Sequence, residues 1–186
     1  MNPEHDIVVA VFLTHAEAEQ TVKELQTSGF DMTKLSIVAK NPHAEEHVAG
    51  FYTTGDRIRH WGKTGAFWGT LWGILAGAAF FVVPGLGPIL VGGPLVAGIV
   101  TALEGAVLVG GLSAIGAGLY SVGVPESSIL QYEIALKTDK YLLIAHGTGE
   151  EAVRAKRIIK EAHPAELHLH SPRDAERVNQ AEFASL

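Results

Sequence analysis

Short apolar runs and amphipathic stretches alternate at both ends of the chain, and a long uncharged block separates them. Asp6 to Thr14 (DIVVAVFLT) is a β-branched apolar run with the length of a buried strand. His15 to Gly29 follows with Ala16, Ala18, Val22, Leu25 and Phe30 on a rough helical period. Thr14 or His15 stands where an N-cap belongs, and Gly29 where the glycine after a helix belongs. Leu35 to Ala39 (LSIVA) is a second strand, which makes the first 40 residues β-α-β. The far flank repeats the order. Pro125 opens a helix through about Lys137, with Ile129, Leu130, Tyr132, Ile134 and Leu136 giving it apolar faces. Tyr141 to Ala145 (YLLIA) is a strand. Gly149 to Ala162 is a charged helix with Val153, Ile158 and Ile159 expected inward. Glu166 to His170 (ELHLH) alternates as a half-exposed strand does.

Two β-α-β halves predict an α+β fold, a ferredoxin-like split βαβ sandwich whose four strands come from both sides of the intervening block. Both ends of that block must then emerge on one side of any membrane it enters. The block itself carries no Asp, Glu, Lys or Arg between Lys63 and Glu104, and none between Glu104 and Glu126. Thr64 to Val83 is 20 residues long, and about 20 helical residues cross the ~30 Å hydrocarbon core. Pro84-Gly-Leu-Gly-Pro88 breaks the helix, Gly92-Gly93-Pro94 offers a second break, and Leu95 to about Val122 can be helical again. The expectation is a glycine-rich hydrophobic hairpin of two membrane helices. Its organisation is 1–43 for the first half of the α/β domain, 44–63 for an interfacial linker, 64–122 for the hairpin, 123–171 for the second half and 172–186 for a polar tail.

Small residues recur every four positions within the block. Gly65, Gly69, Gly73 and Gly77 do so first, then Gly98, Ala102, Ala106, Gly110, Ala114 and Gly118. Such stripes let helix backbones approach closely in lipid, so they are candidate helix-packing and oligomerisation faces. A water-soluble helical hairpin rich in alanine and glycine, buried inside a soluble oligomer, is the alternative, although each interior glycine costs such a helix roughly 1 kcal/mol. Phe51, Tyr52, Trp61 and Trp68 bracket the entrance with amphipathic rings, and Arg57, Arg59 and Lys63 precede it. That bias places the α/β domain on the cytoplasmic side. The turn between the spans is uncharged, so a hairpin that dips in and returns is equally consistent.

Of the 21 glycines, 16 fall between Gly62 and Gly123, so the average composition conceals a sharply divided chain. The net charge of −6, without a basic block, argues against a nucleic-acid partner. The absence of cysteine excludes disulfides and thiolate sites. The first residues show no secretory signal pattern.

Glu104 is the single ionisable side chain in about 60 residues. A carboxyl at that depth either lines a pore, binds a cation or relays protons, or sits neutral and hydrogen-bonded at a helix interface. Nine histidines are present. His43 and His47 share a helical face, while His168 and His170 share a strand face whose end would lie near His5. These five are candidate metal ligands, weighed against ordinary solvated histidines. No GxSxG, P-loop, HExxH or strand-borne GxGxxG occurs, so no catalytic residues are assigned and no cofactor is expected.

Glu45–Gly73 (EEHVAGFYTTGDRIRHWGKTGAFWGTLWG), Pro84–Pro125 and Tyr132–Lys137 (YEIALK) resemble a widespread bacterial family of unknown function. Its flanking α/β part resembles the general-stress-protein, heat-induced-stress-protein domain. The resemblance implies a bacterial, stress-associated hydrophobic protein and implies no reaction or site residues. Together these readings predict an integral protein of the bacterial inner membrane, with membrane lipid and a second copy of itself as partners and a structural or protective role. Two alternatives stay open: an oligomeric channel or transporter with Glu104 in the pore, and a soluble cage or ring that buries the hairpins.

Overall fold

Strand β1 (Asp6–Phe12) is apolar at consecutive positions because both of its faces are covered. Ile7, Val9 and Val11 pack into one core, while Val8, Ala10 and Phe12 pack into another on the opposite side. The computed structural model describes residues 6–40, 78–83, 86–104 and 113–171. After β1 come α1 (His15–Thr27), a 3₁₀ turn (Met32–Lys34), β2 (Leu35–Lys40), β3 (Ala78–Val83) and β4 (Gly87–Gly92). Then follow α2 (Leu95–Glu104), α3 (Ala114–Ser121), α4 (Glu126–Lys137), β5 (Tyr141–Gly147), α5 (Gly149–Glu161) and β6 (Glu166–His170).

The six strands form one antiparallel sheet in the order β3-β4-β2-β5-β1-β6. Strand β5 lies between β1 and β2, and β1 lies between β5 and β6. Each β-α-β half therefore brackets a strand of the other, which is the interleaving expected of a split βαβ pair. Helices α1 and α5 cover one face through Val22, Leu25, Ala152, Ala155 and Ile159. Helices α2, α3 and α4 cover the other through Leu95, Ile99, Ile115, Leu119, Ile129, Tyr132 and Leu136.

Local signals set the helix ends. Thr14 Oγ1 accepts from Glu17 N (3.3 Å), and Glu17 Oε2 accepts from Thr14 N (3.1 Å), a reciprocal cap on α1. Gly29 ends that helix at φ +78°, and Phe30 N returns a hydrogen bond to Leu25 O (3.0 Å).

The central block departs from the expected pair of membrane helices. Residues 78–83, assigned above to the end of the first span, are strand β3, and residues 87–92 are β4. The two pair from Ala78↔Gly92 to Val83↔Gly87, and β4 continues onto β2. Strands β3 and β4 thus form a hairpin: Leu86 N donates to Val83 O (3.1 Å), and Gly87 takes φ +83°. The second expected span holds two short helices instead. At 1.5 Å per residue, the 10 residues of α2 and the 8 of α3 reach only about 15 Å and 12 Å, half a hydrocarbon core or less. No helix among the described residues is long and apolar enough to cross a membrane. The physical reason is that Leu95, Ile99, Ile115 and Leu119 find an apolar surface in the sheet of their own chain and are fully buried there. The rest of the first expected span, Thr64 to Gly77, lies outside the described residues.

One inward assignment also changes. Val153 on α5 is 48% exposed, and Ala152 and Ala155 face the core in its place. On α4, Leu130 and Ile134 are exposed while Ile129, Tyr132 and Leu136 are buried.

Candidate functional site

Helix α2 meets the sheet through Gly93. Its φ of +87° suits glycine, and a Cβ there would lie 2.1 Å from Leu35 O of β2. This close approach delivers Leu95 N to the buried Ser36 Oγ (3.2 Å), which satisfies one of the orphan N–H groups of α2. Helices α2 and α3 then pack glycine to side chain. A Cβ on Gly98 would meet Ser121 Oγ at 2.1 Å, and one on Gly118 would meet Ile99 Cγ1 at 2.4 Å. Gly98 and Gly118 thus allow close packing inside one chain.

Of the other stripe residues, Ala102 lies in α2 and Ala114 opens α3. Gly65, Gly69, Gly73, Gly77, Ala106 and Gly110 lie outside the described residues, as do Phe51, Tyr52, Arg57, Arg59, Trp61, Lys63 and Trp68. Glu104 is the last residue of α2.

A polar cluster forms where β6 meets α4. Glu166, His168 and His170 pair with Val11, Val9 and Ile7, so they share the sheet face that α4 covers. Tyr132 is fully buried, and its hydroxyl lies 2.7 Å from His170 Nε2. Burial, and then the Glu166 carboxylate, pushes the Tyr132 phenol above its ordinary range. The Gln131 amide donates to Glu166 Oε2 and lies 3.4 Å from His168 Nε2. His168 and His170 stack with centroids 6.0 Å apart. These contacts tie the last strand to the helix. Among the described residues no group of three or more His, Asp or Glu is placed to hold a metal ion. His5, His43 and His47 lie outside them.

A second polar link joins the two halves, from Lys34 before β2 to Glu151 of α5. Lys34 Nζ reaches both Glu151 oxygens (2.8 and 2.9 Å), and Glu151 Oε2 also accepts from Thr148 N at the start of α5 (2.9 Å). The Lys34 hydrogen bond, with help from Thr148, lowers the Glu151 carboxyl to about 2. Lys34 in turn is raised, chiefly by Glu151. Lys40 of β2 pairs with Asp139 at 3.0 Å. Tyr132, Gln131, Lys34 and Glu151 escaped the sequence reading because their partners lie 35 to 117 residues away.

The two outermost strands among the described residues differ. All five residues of β6 are half-buried, three of them polar. Strand β3 (AAFFVV) is uncharged, with Phe81 and Val83 toward the α2–α4 core and Val82 77% exposed on the other face. A shallow, open groove between α1 and α5 is lined by Gln20, Lys23, Thr27, Ile158 and Glu161.

Fold and surface define an α+β protein with a six-stranded antiparallel sheet covered by helices on both faces, in which the polar clusters bind element to element. Residues 7–80 match the model of the heat induced stress protein YflT domain. The match takes in β1, α1 and β2 and ends within β3. Comparisons with curated proteins and with solved structures gave no match.

Proposed function

We propose that this stress-associated protein is non-catalytic and acts as a homo-oligomer in a structural or protective role. The observation that carries the reading is β3, the uncharged strand that ends the sheet among the described residues, with Val82 exposed on it. Edge strands commonly carry charge, proline or a bulge to discourage pairing, and an edge without them favours association. The clusters at Tyr132–His170 and Lys34–Glu151 support the non-catalytic part, since each spends its polar groups in bonds between elements of the fold. Conduction through Glu104 draws no support from α2, which is too short to span and ends at that residue.

The test is sedimentation of the purified full chain over a range of concentrations, before and after mild heating, beside carbonate-washed membranes from the producing cells. Concentration-dependent association supports the reading. A single-chain species at every concentration and temperature refutes it. Retention in the washed membranes would return the bilayer to the account.

A further inference from the structure

We propose that the outward face of α4 is a dimer interface, α4 against α4 of a second copy, antiparallel about a two-fold axis. The inference rests on the self-association reading above and adds to it a surface of its own. Residues 113–171 are described without a gap, so α4 and the chain on both sides of it belong to the described structure.

The first observation is a helix that is apolar on both sides. Ile129, Tyr132 and Leu136 are buried toward the sheet, yet Leu130 and Ile134 point away from it, 62% and 51% exposed. A surface helix ordinarily turns polar residues outward, and a helix that is apolar all round is covered on both faces. Leu130 and Ile134 lie about one turn apart and so stand side by side.

The second observation selects the occupant. Glu126, Leu130, Ile134 and Lys137 follow at intervals of four, four and three residues, which makes them one stripe along the helix. Glu126 and Lys137 are the first and last residues of α4; both are exposed, and neither takes part in an ion pair among the described residues. Reversed, the stripe is its own complement. Turned end for end on a second copy, it sets Leu130 against Ile134 and Glu126 against Lys137, each pair twice about the two-fold axis. An apolar centre closed at its two ends by opposite charges fits a partner that carries the same stripe in reverse, and this chain is such a partner. A chain of net charge −6 repels its own copies elsewhere, whereas the stripe holds one acid and one base and has no net charge to overcome.

The experiment compares sedimentation of the full chain with that of Leu130→Lys, Ile134→Lys and, as a control on the opposite face of the sheet, Val153→Lys. Each α4 variant acts twice across the axis and is expected to weaken association about tenfold or more, with far-UV circular dichroism unchanged, while Val153→Lys associates as the parent does. A parent chain that never associates overturns the self-association reading and this inference together. A parent that associates, with both α4 variants unaffected, leaves that reading standing and overturns the interface. A single-chain parent whose melting temperature falls with Leu130→Lys assigns the face to another segment of the same chain and overturns both.

Charge reversal tests the register. Glu126→Lys and Lys137→Glu each bring like charges together at both ends of the stripe and are expected to weaken self-association about threefold to tenfold. An equal mixture of the two variants is expected to recover the parent's affinity, because each introduced charge then meets its opposite while neither chain has changed. A mixture that fails to recover overturns the antiparallel register and the interface with it.

Discussion

Replacing Gly93 with alanine tests the close approach that seats α2 on the sheet. At φ +87° the alanine adopts a left-handed conformation, which costs about 1–2 kcal/mol. Its Cβ would stand 2.1 Å from Leu35 O and 2.9 Å from Ser36 Cα. Both are backbone atoms of an interior strand, so relief requires α2 to move away, at about 1–3 kcal/mol for an overpacked contact. That movement also stretches the Leu95 N to Ser36 Oγ bond, worth about 1 kcal/mol. Together the loss is about 4 kcal/mol. For a chain of this size that lowers the melting temperature by about 8–16 °C. The control is Gly29→Ala, at φ +78° with nothing within 4 Å, which carries only the conformational cost of about 1–2 kcal/mol. Urea unfolding followed by circular dichroism measures both. A gap between the two variants of less than about 1 kcal/mol would refute the packing argument, because the backbone conformation alone would then explain Gly93.

Other consequences follow from the same contacts. Ser36→Ala leaves the buried Leu95 N–H without its acceptor and is expected to cost about 1–3 kcal/mol by the same unfolding assay. Gly118→Ala drives a Cβ to 2.4 Å from Ile99 Cγ1; after about 1 kcal/mol is recovered as helix propensity, a net loss of about 1 kcal/mol is expected. The Glu151 carboxyl is held at about 2, below its unfolded value, so its contribution is present above about pH 4.5 and is lost as pH falls toward 2; Glu151→Gln should flatten stability against pH across that window. The Tyr132 phenol is raised by burial, so its contribution is present below about pH 10 and is lost as pH rises through the folded value; Tyr132→Phe should remove that part of alkaline unfolding, read by ultraviolet difference absorbance.

Most elements outside the central block were legible because each carries one unambiguous period. The capping residues Thr14 and Gly29, the proline before α4 and the alternation of ELHLH each marked an element that the structure contains. The central block misled for a physical reason. A strand buried on one face by its own core and free of charge on the other reads as a continuous apolar run, and such a run has no period to separate strand from helix. AAFFVV-PGL-GPILVG also carries hairpin signals, with aromatic and β-branched residues before a Pro-Gly sequence and β-branched residues after it. The small-residue stripe outweighed them, although Gly98 and Gly118 serve the α2–α3 contact within one chain. On α5, Val153 stands off the face that Ala152, Ala155 and Ile159 turn to the core at i, i+3 and i+7 spacing. At the β6 cluster, the shared face of His168 and His170 followed from strand period alone. Their partners Tyr132 and Gln131 required the topology that lays α4 across that face.

The interleaved sheet also dictates an order of events during synthesis. Strands β1 and β2 leave the ribosome first, yet they have no bond to make with each other, because β5 occupies the place between them. Its residues, Tyr141–Gly147, are made about a hundred positions after Lys40. Until then both edges of β1 lack their partner strands, a state that invites aggregation. A fragment cut before Tyr141 is therefore an unfinished half with no way to close, so truncation experiments on this chain must keep its second half to keep its first.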